Sequence, residues 1–455
     1  MFNPMTISPD AHFQEICEAV EHHARRLAIP GVAVGLWHAG REYQHGFGVT
    51  GVEHPLPVTP NTLFQIGSIT KTFLATAVMR LVEAGRLNLD APLRAYLPDL
   101  RLADETTAAR VTMRHLLTHT GGWVGDYFND FGFGDDALTR MVAQLEELPQ
   151  LTPLGEVYSY NNSGFYLAGR VIEVITGQPF EAAMSDLLLG PLGLEHSFFF
   201  PHEVMTHHFV VGHRVVNGQA EVARPWAIGR AAHSAGGIVS TVGDLMRYAR
   251  LHLGDAPRLL TPASLALMHT PLFPSTGLSQ IGLSWSITSI NGQTVLRHGG
   301  ATKGQTADLR IVPEAQFAMT VLTNSDEGAT LYGIVSGLAL QRFPGLTLPT
   351  PTPITLTESQ QRPYIGRYHS AGGICDVQLN DQQLMLQMID KGGFPTPDTP
   401  PDPEPIPPTR LAFYAEDRVI ALDEPFQDAY GEFLRDAAGQ VAWLRFGGRV
   451  RAREA

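Results

Sequence analysis

The chain has 455 residues, of which 44% are hydrophobic and 17% charged, which is typical of a globular protein with two or three packed units and excludes a disordered chain. Its 45 acidic residues against 32 lysines and arginines give a formal net charge of −13. This charge argues against nucleic acid as a partner, because phosphate binding needs basic patches. No window approaches the roughly eighteen uninterrupted apolar residues of a membrane span. We therefore expect no membrane partner and, since no secretory signal is visible at the amino terminus, a cytoplasmic protein.

Periodicity in the first three quarters of the chain predicts strands at both ends with helices between them. Residues 8–28 carry apolar groups at helical spacing, and 31–37 with 42–47 predict a hairpin. Further helices are predicted at 68–85, 163–176, 180–189 and 241–253. Strands are predicted at 282–290, 293–298, 306–312 and 317–323, followed by a helix at 327–343. These elements predict an α+β domain over 1–345, in which the first and last thirds share one sheet and a helical insertion occupies about 80–230.

A proline-rich stretch then introduces a second domain. The linker, near 346–360, is marked by Pro344, Pro349, Pro351 and Pro353. Beyond it, apolar and polar residues alternate after an Asn380-Asp381 turn, and 441–446 is strand-like. Residues 361–455 are therefore predicted to form a small antiparallel β-barrel or sandwich. It is interrupted by a proline-rich loop at 392–408, which is either disordered or a stiff arm that reaches a neighbouring surface. Its part at 394–408 is a candidate cap over the binding site.

The scarcity of lysine singles out one residue. Only three of the 32 basic residues are lysines, and the first closes Ser68-Ile69-Thr70-Lys71 at a predicted helix start. Arginine keeps its proton in proteins, whereas a desolvated lysine can lose it and act as a base. Three positions apart on a helix, Ser68 and Lys71 would share a face with Cβ atoms about 5–6 Å apart. The alternative is an exposed lysine on a surface helix, because tetrapeptides of this kind also arise by chance.

Further segments carry candidate chemistry and, together, a family resemblance. Tyr160 and Asn162 stand two apart before a predicted helix, and Arg297-His298-Gly299-Gly300-Ala301-Thr302 ends a predicted strand. Three further segments belong to the same set of motifs: Phe64-Gln65-Ile66-Gly67-Ser68-Ile69-Thr70-Lys71-Thr72-Phe73, His115-Leu116-Leu117-Thr118-His119-Thr120-Gly121-Gly122 and Ser234-Ala235-Gly236-Gly237. In this order the motifs resemble the β-lactamase-related serine hydrolases, which include class C β-lactamases, penicillin-sensitive D,D-peptidases, D-aminopeptidases and esterases. The resemblance covers about residues 10–345.

The resemblance implies catalysis through an acyl-enzyme, with no metal or organic cofactor. Ser68 would attack a carbonyl carbon, and Lys71 would take the serine proton, alone or through Tyr160. Tyr160 would then pass that proton to the leaving group. Asn162 would hold Lys71 and the substrate amide in place. The backbone N–H groups of Ser68 and Ala301 would form the oxyanion hole.

One motif departs from the β-lactamase pattern. Those enzymes usually carry Lys-Thr-Gly where this chain has His298-Gly299-Gly300. Imidazole has an ordinary pKa near 6.5, so at neutral pH it is a poor anchor for a substrate carboxylate. A histidine in this position resembles the D,D-peptidases, the D-aminopeptidases and the CubicO-group peptidases that append a lipocalin-like domain, to which the carboxy-terminal domain here is similar. His298 is thus a candidate catalytic residue, and the candidate substrate-binding residues are Gly299, Gly300, Trp123 and Lys303, the last of which is otherwise an exposed loop cation.

The preferred hypothesis is a hydrolase of short peptides or amides, among them D-amino-acid derivatives. An esterase or a weak β-lactamase is the alternative, since an acyl-enzyme site handles several acyl groups, and acyl transfer to an acceptor other than water uses the same residues. The alternative of another class is a penicillin-binding receptor or scaffold without turnover. The expected partner is a small-molecule or short-peptide substrate, and a homo-oligomer is left open.

Three other patterns do not indicate a function, and one absent motif argues against another fold. The segment 46–51 matches dinucleotide-binding glycine spacing but precedes no helix. His115 and His119 are four apart, but no Glu follows His115 as in the zinc peptidases, so we predict no metal site. Cys17 and Cys375 do not suggest a disulfide framework. The absence of a Gly-x-Ser-x-Gly elbow argues against an α/β-hydrolase.

Overall fold

The computed structural model describes residues 9–255, 259–370, 373–392 and 406–454. The protein forms two compact units, each assembled from separated segments of the chain. The first unit comprises 1–87, 175–270 and 283–349, and the second comprises 88–174, 271–282 and 350–455. The boundaries predicted from the sequence, in contrast, follow the order of the chain. Most of the proline-rich loop, 393–405, lies outside the described residues, and with it the predicted cap over a binding site.

The long helices lie where the sequence predicts them. The α-helices are α1 Pro9–Arg26, α2 Thr70–Glu83, α3 Glu105–Arg110, α4 Met113–Leu117, α5 Ala137–Ala143, α6 Ser163–Thr176, α7 Phe180–Met184, α8 Gly190–Leu192, α9 Pro201–Val204, α10 His233–Gly236, α11 Val242–His252, α12 Pro262–Met268, α13 Gly328–Arg342 and α14 Glu358–Gln361. Thr241 caps α11 by accepting the Asp244 N–H at 3.3 Å. In the ranges that the structure describes, no helix is both long and apolar enough to cross a bilayer.

The first unit contains an antiparallel sheet that joins the two ends of the predicted domain. Up to residue 323 the strands are β1 Gly31–His38, β2 Arg41–Gly48, β3 Phe64–Gln65, β4 His213–Val216, β5 Gln219–Val222, β6 Val239–Ser240, β7 Phe273–Pro274, β8 Gln280–Ile281, β9 Ser286–Ile290, β10 Gln293–Thr302, β11 Gln305–Val312 and β12 Phe317–Thr323. Of these, β7 and β8 belong to the second unit. Six strands of this unit lie in the order β2-β1-β12-β11-β10-β9. Val32 in β1 lies opposite Thr323 in β12, which confirms that the first and last thirds share a sheet. The strand predicted at 282–290 begins only at Ser286, because Ser284 has a left-handed φ of 66°.

Helices cover both faces of this sheet. Val32, Val34 and Leu36 of β1 share an apolar cluster with residues of α1 and α13, including Ile16 and Leu331. The intervening residues of β1 face α11, since successive side chains of a strand point to opposite faces. A Cβ added to Gly35 would lie 3.0 Å from Val242 Cβ of α11. The strand is therefore buried along nearly its whole length, as a continuous apolar run predicts.

A buried carboxylate connects strands β10 and β11 to helix α13. Asp308 Oδ1 accepts from Arg297 Nε at 2.7 Å, and Oδ2 accepts from Arg310 Nε at 2.7 Å and from the Ser336 hydroxyl at 3.1 Å. Although burial raises the pKa of Asp308, the two guanidinium groups outweigh it and hold the pKa below its usual value. An ionised Asp308 therefore fixes the strand that carries His298.

The second unit ends in a closed eight-stranded barrel, which confirms the predicted β-barrel. Its strands are β13 Gly366–Ser370, β14 Gly373–Asn380, β15 Gln383–Ile389, β16 Thr409–Ala415, β17 Arg418–Ala421, β18 Tyr430–Arg435, β19 Val441–Phe446 and β20 Arg449–Arg453. Closure comes from β13 and β20, with Tyr368 opposite Arg453. Alternate residues such as Leu384, Leu386 and Phe433 fill the interior, and the predicted turn after Asn380 joins β14 to β15.

We predict that Asp308→Ala destabilises the protein by about 3–5 kcal/mol, because it leaves the nearly buried Arg310 without its carboxylate. The free energy of unfolding in urea measures this loss. Asp10→Ala is the matched control, since Asp10 pairs with Arg41 where both side chains are more than half exposed. Exposed pairs contribute little, so the control should lose much less stability. Equal losses in the two variants would contradict the structural role of Asp308.

Candidate active site

Ser68 lies in the short 3₁₀ turn Gly67–Ile69 that leads into α2, and Lys71 lies in the first turn of that helix. Lys71 Nζ is 3.0 Å from Ser68 Oγ. The Lys71 side chain is fully buried, so the alternative of an exposed surface lysine does not hold. Burial removes water from the amine, which is the condition under which a lysine acts as a base. The expected alcohol–amine pair is therefore formed.

A backbone carbonyl orients the amine. Lys71 Nζ donates to the Ala235 carbonyl at 2.6 Å, and Ala235 lies in the single-turn helix α10. This bond uses one N–H of the amine, and the side chain can still face Ser68. The sequence placed 234–237 in a family motif but gave no role to this carbonyl.

The segment that carries Ala235 is fixed by a buried carboxylate. Glu181 accepts from His233 Nδ1 at 2.7 Å and from Arg230 Nη2 at 3.1 Å. Burial raises the pKa of Glu181, but the hydrogen bonds from His233 and Arg230 outweigh it and lower the pKa to about 2. An ionised Glu181 therefore holds α10 in place, and with it the carbonyl that Lys71 contacts.

Two glycines allow the end of β10 to approach the Ser68 turn. A Cβ on Gly300 would collide with the Ile66 carbonyl oxygen and lie 3.1 Å from the Ser68 nitrogen. A Cβ on Gly67, where φ is 50°, would lie 2.7 Å from the Ala301 nitrogen. Only glycine fits such a close approach of two backbones. The structure thus brings together the two segments whose N–H groups were predicted to form the oxyanion hole.

His298 lies nearby on β10 and is nearly buried. Its Nδ1 donates to the Gly299 carbonyl at 2.6 Å. Burial lowers the pKa of His298, and the nearby Lys71 ammonium lowers it further, to about 3. The imidazole is therefore neutral at neutral pH. The sequence predicts that His298 occupies the position where β-lactamases usually carry a lysine but does not supply a positive charge there, and the low pKa agrees with this expectation.

In the second unit, Tyr160 is held by contacts to its ring and its backbone. Its ring stacks on that of His119 with centroids 4.4 Å apart, and the Arg449 guanidinium lies 5.1 Å from its centroid. Its N–H donates to the Gly448 carbonyl at 2.8 Å. His119 also accepts the Asn161 N–H at its Nδ1, at 3.0 Å. His119 therefore supports the Tyr160 segment, a role that the sequence did not indicate.

The two asparagines after Tyr160 have different roles. Asn161 caps α6, because its Oδ1 accepts the Gly164 N–H at 2.7 Å. Asn162 is nearly buried, and its Nδ2 donates to Asp126 Oδ1 at 2.7 Å. Asp126 in turn accepts from Nε of Arg449. Helix capping therefore belongs to Asn161, and Asn162 is engaged in a separate polar chain.

Two residues predicted to bind substrate have other environments. Trp123 is 2% exposed, and its indole N–H donates to Ser163 Oγ at 2.9 Å. A buried indole offers no surface to a substrate, so Trp123 is better described as packing support for the start of α6. Lys303 is exposed on the turn between β10 and β11, as in the alternative of a loop cation. Gly299 lies on β10 opposite Asp308, and the pairing of β10 with β9 extends only to Arg297.

His115 has a structural role at a helix start. Its Nδ1 accepts the Thr112 N–H at 3.1 Å in a capping box on α4. Within the described ranges, no group of three or more His, Cys, Asp or Glu side chains is arranged to hold a metal ion.

The charge state of His298 can be tested by NMR. We expect the His298 imidazole to remain neutral between pH 8 and 5, because burial and the Lys71 ammonium both oppose its protonation. Lys71→Met should raise this pKa while leaving it below 6.5, since burial is the larger cause. Lys303→Met, which removes the exposed lysine of the same hairpin, should leave it unchanged. A wild-type titration near pH 6.5 would refute the neutral assignment.

Known proteins place the chain in a family. The family model described as Beta-lactamase matches residues 16–336. Penicillin-binding protein 4 of Amycolatopsis lactamdurans is 34% identical over 387 residues, which is 80% of this chain and 98% of that protein. Two solved structures, of SurE and of SurE with D-Leu, superpose with TM-scores of 0.78 and 0.76 at 28% and 26% identity, and cover 98% of this chain and 100% of theirs. The chain belongs to the beta-lactamase family.

Proposed function

We propose that the protein is a serine hydrolase that acts through an acyl-enzyme on small peptides or amides, among them D-amino-acid derivatives. The observation that carries the proposal is the 3.0 Å separation of Lys71 Nζ and Ser68 Oγ at a buried site. A serine hydroxyl is a weak nucleophile until a base within hydrogen-bond reach takes its proton, and that reach is about 2.6–3.2 Å.

The proposed first step is attack by Ser68 Oγ on the substrate carbonyl carbon. Once the Lys71 ammonium has given up its proton, the amine accepts the serine proton as the new C–O bond forms, while its bond to the Ala235 carbonyl keeps it oriented. The N–H groups of Ser68 and Ala301 would stabilise the negative charge on the substrate oxygen. Collapse of the intermediate releases an amine, which takes up the proton, and leaves an ester on Ser68. Water then hydrolyses this ester and regenerates the enzyme.

The roles proposed for Tyr160 and Asn162 come from the family motif. Tyr160 would pass the proton to the leaving amine, and Asn162 would hold the substrate amide. His298 would line the site as a neutral donor or acceptor, because its pKa is lowered to about 3.

Two observations favour a peptide or amide over a β-lactam. His298 is neutral where the family's β-lactamases carry a lysine, so the site lacks that cation for the β-lactam carboxylate. The structural relative SurE, 26% identical to this chain, is described in complex with D-Leu, which supports a D-amino-acid unit in the substrate.

A fluorophosphonate probe and a substrate panel test the nucleophile. The probe should label the wild type and fail to label Ser68→Ala, and turnover should fall by about 10³-fold or more in that variant. The panel consists of D- and L-aminoacyl p-nitroanilides, p-nitrophenyl esters and nitrocefin, and we expect the D-aminoacyl amides to be the best substrates. Labelling without turnover of any compound would favour a penicillin-binding receptor over a hydrolase.

Lys71→Arg separates the base from the charge. Arginine retains a cation near Ser68 but does not lose its proton, so kcat/KM should fall by about 10²–10⁴-fold. Lys303→Arg, the same exchange at an exposed turn, should keep wild-type activity. Wild-type rates in Lys71→Arg would rule out Lys71 as the base.

A further inference from the structure

The hairpin of β19 and β20 contacts the segment that carries Tyr160. The Tyr160 N–H donates to the Gly448 carbonyl at 2.8 Å, and the Val450 N–H donates to Ser159 Oγ at 3.2 Å. Arg445, whose side chain is 4% exposed, donates to the Tyr158 carbonyl at 3.0 Å. Three successive residues of the segment are thus bonded to one hairpin of the barrel, nearly 300 positions later in the chain.

The turn of this hairpin brings its carbonyl to Tyr160. Phe446 pairs with Arg449, which leaves a two-residue turn of Gly447 and Gly448 with φ values of 59° and 78°. Such turns require left-handed conformations at both positions, and glycine adopts them without strain. The next residue after the turn is Arg449, so the same hairpin tip presents a carbonyl and a guanidinium to the segment.

Arg449 contacts both members of the Tyr-x-Asn motif, one directly and one through a carboxylate. Its guanidinium lies 5.1 Å from the Tyr160 ring centroid, within the range of a cation–π interaction. Its Nε and Nη2 both reach the Asp126 carboxylate, the latter at 3.3 Å. Asp126 Oδ1 also accepts from Asn162 Nδ2 at 2.7 Å. Because a two-pronged contact fixes the plane of a carboxylate, Arg449 also sets the orientation of the Asn162 amide.

We propose that Arg449 is a positioning residue, through which the carboxy-terminal barrel sets the orientation of Tyr160 and Asn162. This inference rests on the proposed function, in which those two side chains act on the substrate. A displacement of about 1 Å in a reacting group can cost about 10²-fold in rate. The barrel is then a working part of the hydrolase and not an independent appendage.

The barrel offers a matched control for Arg449. Arg435 donates to Asp417 from Nε at 2.8 Å and from Nη2 at 2.7 Å, and its guanidinium lies 5.9 Å from the Tyr364 ring. The Arg435 and Asp417 side chains are 34% and 21% exposed, close to the 35% and 16% of Arg449 and Asp126. The Arg435 partners all belong to the carboxy-terminal segment and none to 158–162. Arg435→Ala therefore removes the same kind of interaction away from the motif.

The experiment compares Arg449→Ala, Arg449→Lys and Arg435→Ala in the full chain, with the best substrate of the panel. In Arg449→Ala we expect kcat to fall by about 10- to 100-fold while KM changes little, because the reacting groups and not the binding contacts are displaced. Arg449→Lys should recover part of the loss, since it keeps a cation near the ring but lacks the two-pronged contact. Arg435→Ala should match the wild type. Amide hydrogen exchange over 158–163 should quicken in Arg449→Ala alone.

Several results would overturn the inference. An unchanged kcat in a folded Arg449→Ala, or an equal loss in Arg435→Ala, would remove the positioning role. A raised KM with an unchanged kcat would assign Arg449 to substrate binding instead. If the wild type turns over nothing, the proposed function fails, and hydrogen exchange still decides whether Arg449 holds the segment. Equal exchange in the two alanine variants would show that it does not.

Discussion

The buried contact between Lys71 and Ser68 depends on supporting residues from several segments of the first unit. An amine removed from water must keep hydrogen-bond partners, since an unpaired buried polar group costs free energy. The Ala235 carbonyl supplies one partner, and the ionised Glu181 holds the helix that carries it. Gly67 and Gly300 permit the backbone approach that closes the other side of the serine turn. Residues far apart in the chain therefore serve one alcohol–amine pair.

The charge state of His298 on β10 bears on the same amine. A second cation beside a buried ammonium is unfavourable in a low-dielectric site. His298 avoids this by staying neutral, because burial and Lys71 lower its pKa to about 3. Arg297 and Arg310, whose side chains lie on the other face of the sheet, are both paired with Asp308. Lys71 therefore has an uncharged neighbour in His298, which suits the proton transfer proposed for this amine.

The sequence predicts those helices, strands and residue pairs that depend on interactions between residues close together in the chain. The bounds of α6 and β12 were predicted at 163–176 and 317–323, because their apolar spacing is regular. Ser68 and Lys71 were found because one helical turn brings them together. Trp123 was assigned to substrate binding, but tertiary packing buries it against Ser163. No sequence pattern indicates Arg449, since its ion pair with Asp126 spans 323 positions and neither residue lies in a motif.

The segment before α6 carries Tyr160, which we propose acts on the substrate, and it needs support from outside itself. Residues 151–162 form neither helix nor strand, so no regular backbone pattern fixes them. Side-chain caps, the ring of His119 and backbone bonds to 119–125 hold part of this segment, and the β19–β20 hairpin holds residues 158–160. A closed barrel has no free edge and is a rigid support for its hairpins. Rigid elements position reacting groups better than loops do, and here the barrel gives an irregular segment that rigidity through Gly448 and Arg449.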